Sequence, residues 1–189
     1  MKWTLPGTVL QVGPAETERL ESVLGSLFLG GGIALSQVAG ITGLEPYTIQ
    51  NWVKRGYLTP PEKKKYSQRQ LSRILIINML RSALPLERIC GLLQYINGHL
   101  DDEADDLIDD TQLYFLFIRL ANYHRQMKDT AGREDYLHKV LADYEEPQPG
   151  AKERVEKVLR IMITAWAASQ LRQTAERMTA QLYEMEGEM

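Results

Sequence analysis

The stretch Leu44-Glu45-Pro46-Tyr47-Thr48-Ile49-Gln50-Asn51-Trp52-Val53-Lys54-Arg55-Gly56-Tyr57-Leu58 decides how this chain is read. Pro46 suits the first turn of a helix, where its missing N–H would have no intrahelical partner anyway. Gly56 suits the residue just past a helix end, a position that favours left-handed backbone. The spacing predicts a helix over about 46–55. Ile49, Trp52 and Val53 then share one face by their i, i+3, i+4 relation, and Tyr47, Thr48, Asn51, Lys54 and Arg55 fall on the opposite one. Those outer groups can read base edges: Asn pairs bidentately with adenine, Arg with guanine, and Thr meets a thymine methyl or a phosphate.

The flanks fit the same use. Upstream, Leu35-Ser36-Gln37-Val38-Ala39-Gly40-Ile41-Thr42-Gly43 predicts a short helix over about 37–42, capped by Ser36 and followed by a glycine turn. Downstream, Pro60-Pro61-Glu62-Lys63-Lys64-Lys65-Tyr66-Ser67 predicts a basic wing over 59–66, too short for more than two brief strands. Ser67 and Gln70 form a capping-box pattern that opens a third helix, about 68–82. Pro85 opens a fourth, ending near Asn97-Gly98. A short helix, a tight turn, a polar-faced second helix and a basic wing together place one helix in the major groove. Lys63, Lys64 and Lys65 would neutralise phosphates, each steepening the log–log salt dependence of binding by roughly 0.9, with Tyr66 laid against a sugar. A lysine triplet alone is commonly just solvated and Trp52 reads as scaffold. The order of the parts, rather than any one of them, points to DNA.

Charge is distributed to match. The 189 residues carry a net charge of −3. Residues 44–90 nevertheless hold nine lysines and arginines against three acids, while residues 99–189 hold eleven against nineteen. A phosphate backbone responds to the local field within a Debye length of roughly 8–10 Å, not to the total. The basic head can attract DNA while the acidic half limits indiscriminate binding. No uncharged apolar run reaches the roughly 20 residues of a membrane span. Acidic Glu16, Glu18 and Glu21 precede the apolar stretch 23–35, where a signal peptide would place basic residues. The single cysteine, Cys90, excludes an internal disulfide and fits a reducing cytoplasm.

Residues 1–13 read as an extended arm. Over 17–29, Leu20, Val23, Leu24, Leu27 and Phe28 recur at helical spacing until Gly30-Gly31-Gly32, a hinge or tight connection without the Lys-Ser/Thr of a phosphate loop. The acidic run 101–110 lacks the glycine and terminal glutamate of a calcium loop and reads as a solvated linker with helix-capping aspartates. Helices are expected over 111–128, 134–144 and 152–186. In the first, Tyr114-Phe115-Leu116-Phe117-Ile118 is apolar all round and belongs at the centre of a bundle, with a ligand pocket or dimer interface as the alternative. In the last, an apolar stripe through Val155, Val158, Met162 and Trp166 drifts to a new face near Ser169 and continues through Leu171, Ala175, Met178, Leu182 and Met185. That helix either pairs with its twin, the preferred expectation, or folds back over 111–144. Cys90 lies among Ile89, Leu92 and Leu93 and reads as packing. His99, His124 and His138 lack metal-site spacing, and no nucleophile–base pair is visible.

Residues 34–97 resemble the MerR-type winged helix. Ser36–Ala39, Thr42-Gly43, Thr48-Ile49, Gly56-Tyr57-Leu58, Tyr66-Ser67 and Leu86-Glu87-Arg88-Ile89 carry the likeness, and Asn51–Gly56 is closer to the phage excisionase branch of that fold. The wing lacks the Gly-Tyr-Arg of a typical MerR wing, Gln50-Asn51-Trp52 replaces the usual Arg-Tyr-Tyr, and there is no C-terminal cysteine pair for metal sensing. The whole chain resembles a bacterial family catalogued as domain of unknown function number 1836, thought to contain transcriptional regulators. The expectation is an all-α protein: an arm and helix (1–33), a MerR-like winged helix-turn-helix head with a small wing (34–98), and a helical dimerisation or effector module with a long terminal helix (99–189). Its function would be that of a cytoplasmic, homodimeric, sequence-specific regulator binding double-stranded DNA, not an enzyme, with no metal or cofactor and no membrane partner. The candidate DNA-binding residues are Ser36, Gln37, Tyr47, Thr48, Gln50, Asn51, Lys54, Arg55, Lys63, Lys64, Lys65 and Tyr66. A protein–protein adaptor that does not bind DNA and an excisionase-like DNA-bending factor are the alternatives.

Overall fold

The computed structural model describes residues 2–13, 16–17, 19–126 and 131–187, among which the chain is mostly helical with two small two-stranded sheets. Residues 2–13 do not form an extended arm. Strands β1 (Trp3–Thr4) and β2 (Gln11–Val12) pair antiparallel, Trp3 opposite Val12, and Trp3 and Leu5 are buried. Buried Tyr114 donates its hydroxyl hydrogen to the Pro6 carbonyl at 2.9 Å. Gly7, at φ +79°, sits where an added Cβ would lie 2.3 Å from the Leu75 carbonyl oxygen, so only glycine permits this approach. Helix α1 (Leu20–Ser26) follows, burying Leu20 and Leu24 while Val23 and Leu27 stay exposed.

Strand β3 (Ile33–Ala34) leads into helices α2 (Leu35–Thr42) and α3 (Pro46–Lys54). Strand β4 (Lys65–Tyr66) pairs antiparallel with β3, Ile33 opposite Tyr66. The wing strand therefore closes on a segment about thirty residues earlier, at the very start of the expected head. Helix α4 (Gln68–Leu80) opens with the expected capping box: the Gln70 amide N–H donates to Ser67 Oγ at 3.1 Å and the Ser67 amide N–H to Gln70 Oε1 at 2.9 Å. Leu71, Ile74, Leu75, Ile76, Ile77, Met79 and Leu80 are all buried, because α4 packs against α2, helix α5 (Leu86–Asn97), helix α6 (Asp110–Gln126) and helix α8 (Ala151–Gly187). Helix α7 (Ala131–Val140) packs on α6 and α8. Lys128, at the expected end of α6, lies outside the described residues. The run Leu113–Ile118 is buried on every side, as a bundle centre requires. One core runs from Trp3 to Trp166 and crosses the expected boundary at 98 and 99.

Helix α8 has two apolar faces. Val155, Val158, Leu159, Met162, Ala165 and Trp166 are buried against the body. From Gln170 to Tyr183 every residue is exposed. Along that free half, Leu171, Ala175, Met178 and Leu182 follow one another at four- and three-residue steps, and Ile161, Thr164 and Ala168 extend the same exposed row backwards. The side chain of Met185 lies outside the described residues.

The acidic run is a solvated linker only in its first half, where residues 101–105 are exposed. Asp102 and Asp109 accept from the amide N–H groups of Ala104 and Thr111 as helix-capping aspartates do, but residues 106–110 turn inward. A short 3-10 turn (Glu103–Asp105) and the start of α6 wrap onto α4. Arg69 pairs with Asp106 and, at 3.2 Å, with Glu103. Arg73 pairs with Asp110 at 3.1 Å, Asn97 donates to the same carboxylate at 3.2 Å, and Asp110 is 1% exposed. Burial pushes the Asp110 carboxyl above its ordinary value, with Arg73 opposing, and burial likewise raises Asp106 against Arg69. No helix among the described residues is long and apolar enough to cross a membrane.

Candidate nucleic-acid interface

Helix α2 is capped by Ala34 rather than Ser36: the Ala34 amide N–H donates to Gln37 Oε1 at 2.9 Å, and Ser36 lies exposed in the first turn. At its far end the Thr42 hydroxyl donates to the Val38 carbonyl at 2.8 Å and accepts from the Leu44 amide N–H at 3.2 Å. Gly43 closes the helix at φ +69°. A Cβ there would meet Val9 Cγ1 at 2.6 Å, so the tip of the first hairpin rests on the turn between α2 and α3. Asn78 holds this corner from below, donating to the carbonyls of Gly7 at 2.9 Å and Thr42 at 3.0 Å.

That corner fixes the angle of α3. Ile49 and Trp52 are buried, Val53 and Thr48 half-buried, and Gln50, Asn51, Lys54 and Arg55 exposed. Tyr47 is 70% exposed, a high value for an aromatic with nothing to cover it. Arg55 already has partners: its guanidinium lies 3.0 Å from Glu87 and 4.8 Å from the Tyr57 ring centroid, and the Tyr57 hydroxyl donates to the same Glu87 oxygen at 3.2 Å. Glu87 is held below the usual carboxylate range by a hydrogen bond from its own backbone and by the Tyr57 hydroxyl. Both ends of the Arg55–Glu87 pair face solvent, where such pairs contribute little and exchange readily. Neither Glu87 nor Tyr57 is among the candidate residues; in the sequence they stand out only as parts of Leu86-Glu87-Arg88-Ile89 and Gly56-Tyr57-Leu58, in the family pattern.

The wing is a two-residue hairpin turn. The Lys65 amide N–H donates to the Glu62 carbonyl at 2.8 Å, and Lys63 and Lys64 stand at φ +48° and +64°. Positive φ at both central residues is the pattern of a type I′ turn, usually served by Asn-Gly. Here two lysines occupy it, so both side chains leave the turn tip into solvent. Lys65 instead donates Nζ to the Gly30 carbonyl at 2.8 Å, tying the wing to the glycine loop. Gly32, at φ +108°, is required beside it, since a Cβ would lie 2.9 Å from the Tyr66 carbonyl oxygen. Tyr66 does not fit its expected role. Its ring is 2% exposed and packs in the core, so it cannot lie against a sugar.

Two further expectations change. Arg69 and Arg73, counted in the basic block, are neutralised inside the protein by Glu103, Asp106 and Asp110. Cys90 is half-buried, and burial pushes its thiol up, which suits packing rather than reactivity. Among the described residues no group of three or more His, Cys, Asp or Glu is placed to hold a metal ion.

Residues 34–117 match the model of a family described as a domain of unknown function (DUF1836). The match begins at the strand that pairs with the wing and ends inside α6, so it includes the buried Arg73–Asp110 pair as well as the exposed α3 face. The chain is 25% identical over 162 residues to the uncharacterized protein YkrK of Bacillus subtilis (strain 168), covering 79% of this chain and 70% of that protein. No solved structure matches.

Proposed function

We propose that the protein is a sequence-specific DNA-binding transcriptional regulator, cytoplasmic and without catalytic activity, whose head is a winged helix-turn-helix of the MerR type. The observation that carries this reading is the outer face of α3: Tyr47, Thr48, Gln50, Asn51, Lys54 and Arg55 project from a helix whose other side is locked by Ile49 and Trp52. Such a face reads base edges only if its helix is held rigidly, and the Asn78 corner supplies that support. Lys63 and Lys64 at the turn tip supply backbone contacts, which set affinity while α3 sets sequence. One head covers few base pairs, so tight specific binding calls for two. The exposed row on α8 has the three–four repeat of a two-helix seam, which supports pairing with a second copy of the chain.

Selection from random duplexes at low salt tests the proposal. A palindromic consensus is expected, and absence of any enrichment would leave the adaptor reading. Enrichment for bent duplexes without a palindrome would favour the excisionase-like factor. Asn51→Ala should lose about 1–3 kcal/mol and relax preference at a single base position. Leu171→Glu with Met178→Glu should yield a monomer by sedimentation; a wild-type monomer at high concentration would remove the paired-helix part.

A further inference from the structure

Just past the end of α3 three side chains meet: Arg55, Tyr57 and Glu87. The local sequence accounts for the first two. Gly56 takes left-handed backbone at φ +73°, and the amide N–H groups of Gly56 and Tyr57 donate to the carbonyls of Val53 and Trp52 at 3.0 and 2.9 Å. This helix-ending turn folds the chain back, so the Arg55 guanidinium lies over the Tyr57 ring at 4.8 Å from its centroid. Glu87 comes from the first turn of α5, where the partial positive charge of a helix N-terminus favours a carboxylate. One of its oxygens, Oε1, accepts from the Arg55 guanidinium at 3.0 Å and from the Tyr57 hydroxyl at 3.2 Å. The guanidinium thus has an aromatic plane beneath it and an anion at its edge. Arg55 and Glu87 nevertheless keep 46% and 65% of their side chains exposed. A pair this open adds little to stability. Its consequence is for which third group Arg55 accepts.

A phosphate and a guanine edge compete for Arg55 on different terms. The phosphate is charged, so the Glu87 carboxylate beside the guanidinium repels it, by on the order of threefold in affinity for unit charges about 6 Å apart in water. The guanine is neutral and offers O6 and N7, two acceptors that match the guanidinium fork. The cytosine opposite offers an N4 amino donor, which a carboxylate accepts. We infer that Arg55 and Glu87 together read a G·C pair, Glu87 being the residue that keeps Arg55 off the phosphate backbone. This rests on the DNA reading of α3 and names the base pair taken at its C-terminal end. Tyr57 is a positioning residue that holds the plane of the guanidinium.

The test uses the full chain and a duplex enriched from random sequence by the wild type. Arg55→Ala should relax preference at one position, and the pair preferred there by the wild type should be G·C. Glu87→Gln keeps the shape of the side chain and removes its charge. It should raise affinity for an unrelated duplex by about threefold and lower the G·C preference at the Arg55 position by about fivefold. The log–log salt slope should steepen by up to about 0.9 as Arg55 becomes a phosphate contact. With Arg55→Ala already present, Glu87→Gln should change preference at that position no further, the mark of two residues acting as one. A G·C preference untouched by Glu87→Gln, whatever happens to overall affinity, overturns the inference and leaves the DNA reading in place. So does a preferred A·T pair at the Arg55 position. Failure of the wild type to enrich any sequence removes the DNA reading, and the inference with it.

Discussion

Replacing Lys63 and Lys64 by Asn and Gly should make the protein more stable and a poorer DNA binder at once. Both lysines sit in left-handed backbone, at φ +48° and +64°, a conformation that costs a residue with a Cβ roughly 1–2 kcal/mol. Glycine at 64 removes that cost, offset by roughly 0.5–1 kcal/mol for the freedom it adds to the unfolded chain. Asparagine at 63 tolerates the conformation better than lysine by some tenths of a kcal/mol. The net is a stabilisation of about 1 kcal/mol, or roughly 2–4 °C in melting temperature for a chain of this size. The same change removes two cations from each wing tip, so the log–log salt slope of DNA binding should flatten by up to about 1.8 per head, two contacts at roughly 0.9 each. Thermal melting and salt-series titration with a selected duplex measure the two effects separately. A lowered melting temperature would refute the turn geometry. A raised one with an unchanged slope would refute the phosphate contacts. A gain in stability also rules out unfolding as the reason for weaker binding, an ambiguity that alanine variants leave open.

Asp110→Ala should cost about 3–5 kcal/mol by stranding buried Arg73, whereas Arg73→Met with Asp110→Leu should be far milder, from near-neutral to stabilising; urea melts of the singles and the double decide, and additive losses would contradict direct pairing. Gly7→Ala should lose more than about 2 kcal/mol, since the new Cβ meets the Leu75 carbonyl in left-handed backbone; a neutral result would mean the hairpin does not rest there. Asp106 holds its proton more tightly folded than unfolded. That contribution is full below the ordinary carboxyl value of 3.8 and is lost as pH rises through the folded value. Wild type should therefore lose stability relative to Asp106→Asn as pH rises above 3.8. The opposite trend in urea melts would show that the Arg69 charge outweighs burial.

What the sequence discloses here depends on how local the physics is. Helix α3, the Ser67–Gln70 box and the all-round burial of Leu113–Ile118 follow from spacing and capping within a few residues, and they appear where expected. The partner of β4 is not local: two-residue strands carry no alternation, and only tertiary packing brings Ile33 to Tyr66. The same holds for the first hairpin, whose two-residue strands are too short to tell from an extended arm. At the wing, Lys63-Lys64 hides a type I′ turn because the residues that normally announce it are absent. The acidic run misled most, since aspartates in series are usually solvated, and nothing within 101–110 says that Arg69 and Arg73 wait one turn apart on another helix.

The buried pairs also change how the electrostatics of the head should be weighed. Nine basic residues lie between 44 and 90, but Arg69 and Arg73 are matched inside the protein and Arg55 is lightly held by Glu87. What faces outward from α3 and the wing is Lys54, Lys63, Lys64 and the exchangeable Arg55, with Lys65 partly engaged by Gly30. Three or four phosphate contacts per head would give a salt slope of roughly 3–4 and, alone, modest affinity. On the proposed DNA reading such a head would discriminate through α3 only when a second head shares the site, which would make the exposed row on α8 and the face of α3 one functional unit. The acidic segment fixes α4 against α6 through Arg69 and Arg73, and on that reading it would also withdraw two arginines whose charge would otherwise strengthen binding to every sequence alike.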